Sequence, residues 1–188
     1  MKVYPTISDP EVTEHLMAGK VGVIPCDTVY GLVARASDEH AVTKLYALKH
    51  REHKPGTLIA ASIDQLVELG IPRRYLTAVE QFWPGAVSVE TPHHIDYLTQ
   101  STGRQAIRIP DNDALLELLR IVGPLQTTSA NQPGEPVSNN ISEAQNYFGD
   151  QVDFYVDGGD MSAGLPSTIV RVVDDELEVI REGAVKIN

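Results

Sequence analysis

Four polar segments of this chain each follow an apolar run or close a helix, and each carries side chains able to hold an anion. Pro25-Cys26-Asp27-Thr28-Val29-Tyr30-Gly31-Leu32 follows the apolar residues 21–24. Pro25 cannot extend a strand ladder, and Gly31 permits a tight turn or a close backbone approach. Asp27, Thr28 and Tyr30 are expected at a strand end, where α/β folds place ligands. An ordinary turn, with Asp and Thr bonded to local backbone, would satisfy the same residues. Lys49-His50-Arg51, with Lys54 just beyond, closes a helix-like stretch. Last-turn cations complement the helix dipole, which accounts for one or two of these charges but not for Lys54. Arg offers a planar fork to phosphate and Lys a compact charge. Thr127-Thr128-Ser129-Ala130-Asn131 sets hydroxyls and an amide after another apolar run, suited to phosphate, ribose or carboxylate. A capped turn reads equally well there. Asp157-Gly158-Gly159 and then Gly164-Leu165-Pro166-Ser167-Thr168 form a glycine-rich connection with Ser167 at the mouth of a strand. Arg108 and Arg181 lie inside strand-like runs, where each must face a wet cleft, find a partner or sit on a solvent-exposed edge.

Strands and helices must carry these segments. Short apolar runs at residues 21–24, 58–61, 86–89, 105–109, 125–128, 153–156, 168–173 and 177–181 read as strands. Residues 13–19, 39–49, 65–69, 75–83, 115–122 and 142–148 read as helices, with Asn112 or Asp113 as an N-cap and Gly149 as a stop. Residues 132–140 form a loop rich in Pro, Gly and Asn. The alternation predicts one α/β domain over residues 1–188, with helices packed on a sheet.

Composition limits the chemistry. The chain has 188 residues, 42% of them hydrophobic, which suits a single cored domain. No apolar run reaches the roughly 18 residues of a membrane span. No basic start followed by an apolar stretch marks residues 1–10 as a secretory signal, so a cytoplasmic protein is expected. Fifteen basic residues against twenty-six acidic ones give a net charge of -11. Such a balance disfavours nonspecific nucleic-acid binding, which draws on Lys and Arg. The single cysteine, Cys26, can neither form an internal disulfide nor build a thiolate zinc site. His50, His53, His93 and His94 show no ligand spacing with an acidic partner, so no protein metal site is expected.

In order along the chain, these motifs resemble the YrdC-type domain of threonylcarbamoyl-AMP synthases. The resemblance rests on the octet at 25–32, Lys49-His50-Arg51, Trp83-Pro84-Gly85, Ala106-Ile107-Arg108-Ile109-Pro110, Ser129-Ala130-Asn131, Asp157-Gly158-Gly159, Pro166-Ser167-Thr168-Ile169-Val170 and Val179-Ile180-Arg181-Glu182-Gly183. It implies a twisted open mixed α/β sheet with flanking helices and a large concave groove. It implies an enzyme, a nucleotidyltransferase that joins L-threonine, bicarbonate and ATP into threonylcarbamoyl-adenylate and pyrophosphate. It also implies magnesium as the companion of ATP. Downstream transferase proteins would move the product to transfer RNA, which this chain would meet only indirectly.

By the same resemblance Thr28, Arg108 and Ser167 hold threonine. Lys49, Arg51, Ser129 and Asn131 form the catalytic set and, with Lys54 and Arg181, bind ATP. Cys26 replaces a usual threonine, Lys54-Pro55 is followed by Gly56-Thr57, and Ala61-Ser62 stands where many members carry histidine. The alternatives are an RNA-binding or ribosome-assembly module of the same domain type, or a paralogue with altered chemistry.

Overall fold

The structure, a computed structural model, describes residues 2–50, 53–77, 79–173 and 176–187. Among the described residues there are ten strands: β1 (Lys2–Tyr4), β2 (Gly22–Pro25), β3 (Tyr30–Arg35), β4 (Thr57–Ile59), β5 (Val87–Pro92), β6 (Arg104–Arg108), β7 (Leu125–Ser129), β8 (Phe154–Val156), β9 (Thr168–Val173) and β10 (Glu176–Arg181). Interleaved with them are α1 (Pro10–Met17), α2 (Glu39–Leu48), α3 (Ile63–Glu68), α4 (Arg73–Thr77), α5 (Asp96–Thr99), α6 (Asp113–Val122) and α7 (Ile141–Phe148). All ten strands join one open mixed sheet in the order β1-β8-β2-β3-β7-β4-β6-β5-β9-β10. No helix among the described residues is long and apolar enough to cross a membrane.

Strand alternation sorts the core onto both faces. Leu32, Leu58, Ile107 and Val170 face one way, against Val42 and Leu45 of α2, Phe148 of α7 and the short helices α3 and α4. Val33, Ile59 and Leu125 face the other way, against Val12 and Leu16 of α1 and the apolar stripe of α6. Side-chain caps fix where these helices start. Asn112 accepts from Leu115 N at 3.0 Å, and Asn140 from Glu143 N at 3.0 Å. The second core contains no residue of β5, β6, β9 or β10. At this end that face of the sheet carries no part of the second apolar core, and the hollow described below lies there.

Four elements differ from the sequence reading. Tyr30, Gly31 and Leu32 belong to β3 instead of a loop. Buried on both faces, β3 shows no polar alternation to announce itself. The helix expected over residues 75–83 is divided into α4 and a 3-10 turn at Glu80–Phe82. The edge strand β1 and the four-residue α5 are too short to leave a periodic signal.

Candidate active site

The hollow is about 250 Å³ and opens to solvent. Its walls come from the β2–β3 turn, β4, β6, β7, β9 and β10. Thr28, Arg108, Ser129, Ser167 and Arg181 all line it, so five of the residues singled out in the sequence converge. Its lining contains two guanidinium groups and no carboxylate among the described residues.

Arg108 ends β6 and is 4% exposed. Its Nη2 approaches Asp27 Oδ1 at 3.0 Å, and its Nη1 lies 3.4 Å from the Thr28 hydroxyl, to which it donates. The Asp27 approach is close enough for an ion pair, although its angle falls outside hydrogen-bond geometry. The Arg108 Nε–H and the buried Thr128 hydroxyl have no hydrogen-bond partner among the described residues. Buried donors without a protein partner call for a water or ligand acceptor.

On the opposite wall, Arg181 Nη2 donates to Ser167 O at 2.7 Å and reaches Ser167 Oγ at 3.4 Å. The Ser167 hydroxyl is shared with Ser88 Oγ at 2.9 Å. Ser88 is fully buried in β5 and was not singled out from the sequence; its one signal is a hydroxyl inside an apolar strand.

Lys49 and Asn131 sit behind this lining. Lys49 caps α2 and is 3% exposed. Its ammonium donates to Ser129 O at 2.9 Å, to Asn131 Oδ1 at 2.9 Å and to Asn131 O. Ser129 Oγ donates to Asn131 Oδ1 at 2.7 Å, and Asn131 Nδ2 donates to Glu135 O at 2.6 Å. Lysine, serine and asparagine thus form one network that shapes the turn leaving β7. Ser138, inside the 132–140 loop, is buried and donates to Ala130 O, which ties that loop to the same turn.

Lys54 is exposed and does not line the hollow; its neighbours Pro55 and Gly56 do. Arg51 lies outside the described residues. Tyr30 does not face the hollow. Its buried hydroxyl accepts from Gly158 N at 2.7 Å and donates to Gly159 O at 2.9 Å, which clamps the glycine-rich connection. Gly164 of that connection presses on the β2–β3 turn, where an added Cβ would stand 1.9 Å from Thr28 O. Burial, with the Asp27 charge beside it, pushes the Cys26 thiol up to about 12, so Cys26 is an inert packing residue.

Residues 14–183 match the Sua5/YciO/YrdC family, described as "Telomere recombination". A threonylcarbamoyl-AMP synthase of Stutzerimonas stutzeri is 33% identical over 165 residues, covering 85% of this chain and 89% of that protein. One of Bacillus subtilis is 32% identical over 189 residues, covering 95% of this chain and 55% of that protein. Sua5 of P. abyssi, solved in complex with L-threonine, superimposes with a TM-score of 0.85 at 26% identity. That match covers 97% of this chain and 58% of the other, so this chain spans a little over half the length of that relative.

Proposed function

The chain belongs to the Sua5/YciO/YrdC family, and from that premise we propose that it is a threonylcarbamoyl-AMP synthase, a nucleotidyltransferase serving transfer RNA modification. The reading is carried by one observation. Two guanidiniums and several hydroxyls, drawn from segments up to about 150 residues apart, meet in a hollow that holds no carboxylate among its described lining.

Arg108 and Thr28 would take the threonine carboxylate, since a guanidinium paired with a carboxylate makes strong charge-assisted bonds. Ser167 would face the same amino acid. Ser129 and Arg181 would hold the nucleotide, and Asn131 would set the turn that presents Ser129. Lys49, with its ammonium on three oxygens of the protein, would act as a positioning residue for that turn. Arg51 and Lys54 would add charge beside the phosphates; this role rests on the motif alone.

The threonine amine and bicarbonate give a carbamate and water. A carbamate oxygen then bonds to the α-phosphorus, the bond from that phosphorus to the bridging oxygen breaks, and pyrophosphate leaves with the electron pair. Nothing here requires a covalent intermediate on the protein. The chain would contribute alignment and fixed positive charge, both of which favour the transition state. No cluster of three His, Cys, Asp or Glu residues converges among the described residues to cage a metal. Magnesium would enter with ATP, as it usually does beside nucleotides. There it would neutralise charge on the phosphates. The product would pass in the cytoplasm to transferase proteins that modify transfer RNA.

The test is pyrophosphate release from ATP, measured with and without L-threonine and bicarbonate. Release is expected only with both. Release indifferent to either one would refute the assignment.

A further inference from the structure

Asp27 stands between two residues that line the hollow, Cys26 and Thr28, yet does not line it. Its side chain meets Arg108 instead. Asp27 Oδ1 lies 3.0 Å from Arg108 Nη2, with the two side chains 3% and 5% exposed. Its Oδ2 accepts from Asp111 N at 3.2 Å, in the connection between β6 and α6. The carboxylate thus joins two segments more than 80 positions apart, and water has almost no access to the contact.

From this arrangement we propose that Asp27 is a positioning residue for the amino-acid subsite, fixing Arg108 so that Nη1, beside the Thr28 hydroxyl, addresses a substrate carboxylate. The proposal rests on the threonine reading above. A long side chain such as arginine has several rotamers to lose on binding. A guanidinium already held in a buried ion pair meets its ligand with part of that loss paid beforehand, which is how supporting contacts sharpen a binding group. Asp27 also removes one positive charge beneath the hollow. Arg108 therefore binds by directed N–H groups more than by net charge, which favours a planar carboxylate over a diffuse anion.

The experiment compares Asp27→Asn and Asp27→Glu in the pyrophosphate assay, varying L-threonine at saturating ATP and ATP at saturating L-threonine. Asparagine keeps the size and an acceptor for Asp111 N but loses the charge. The threonine KM is expected to rise at least tenfold, with kcat and the ATP KM within threefold of wild type, and glutamate is expected to restore most of the loss. Three results would overturn the proposal: a threonine KM within threefold, both KM values rising together, or tighter threonine binding in the asparagine variant. The last would mean that the carboxylate competes with substrate.

If Asp27→Asn does not fold, the unliganded wild-type protein still decides. Its Arg108 guanidinium protons, assigned by their loss in Arg108→Lys, should give separate NMR signals from hindered rotation, and a single averaged signal would sink the idea. A wild-type protein that ignores threonine would refute the functional reading, while the guanidinium signals would still report on Asp27.

Discussion

Replacing Lys49 by Met separates two roles for that ammonium. Met preserves the length and apolar stem of lysine and deletes only the three donors. In the structure those donors meet Ser129 O, Asn131 O and Asn131 Oδ1. Hydrogen bonds to a charged group contribute about 1.5–3 kcal/mol each. Three on one ammonium are not additive, and the substitution also relieves the cost of burying a charge. A net loss of about 3 kcal/mol follows. For a chain of 150–250 residues each kcal/mol shifts Tm by about 2–4 °C, so Tm should fall by about 6–12 °C. The measurement is thermal unfolding by circular dichroism with no ATP present. The ATP KM should rise in parallel, because Ser129 loses its support. If Lys49 instead served the nucleotide directly, deleting it would weaken ATP binding and leave the ligand-free Tm in place. A Tm within about 2 °C of wild type, alongside a large rise in ATP KM, would refute the positioning role.

Two further outcomes test the packing. A Cβ added at Gly56 would lie 2.1 Å from Thr127 O and 2.9 Å from Thr128 Cγ2. Gly56→Ala should therefore cost about 2–3 kcal/mol by overpacking, read as a lower urea midpoint; an unchanged midpoint would show that β4 approaches β7 less closely. Burial, with His94 beside it, pushes the His93 imidazole down from its ordinary 6.5. Burial, with Lys20 beside it, does the same to His15. Both take up protons less readily in the folded chain than in the unfolded one, so the stability this contributes is fully present above 6.5 and declines as pH falls below it. The urea midpoint should be lower at pH 5.5 than at pH 7.5, and His93→Gln should flatten part of that slope. A midpoint that holds or rises on acidification would contradict the burial of these rings.

Local spacing determined much of this protein. The apolar run at 105–109 left Arg108 three places, a cleft, a partner or an exposed edge, and the structure gives it the first two. Asn112, one of the two N-cap candidates, starts α6 because an N-cap is satisfied within three residues. The hydroxyl cluster at 127–131, which ends β7 and starts the turn beyond it, and the closing arginine at 181 were legible because each is a short local pattern. Tertiary structure decided how those patterns combine. Thr28 meets Arg108 across 80 positions, and Ser167 meets Ser88 across 79. Such contacts depend on strand order and register, which no local period encodes. Lys49 and Lys54 lie five positions apart in the chain and read alike as cations, yet one is buried in a network behind β7 and the other faces solvent. Asp27 looked like a ligand presented at a strand end. Only the packing of the β2–β3 turn against β6 turned it inward onto the arginine, because a buried guanidinium must find its countercharge wherever the fold supplies one.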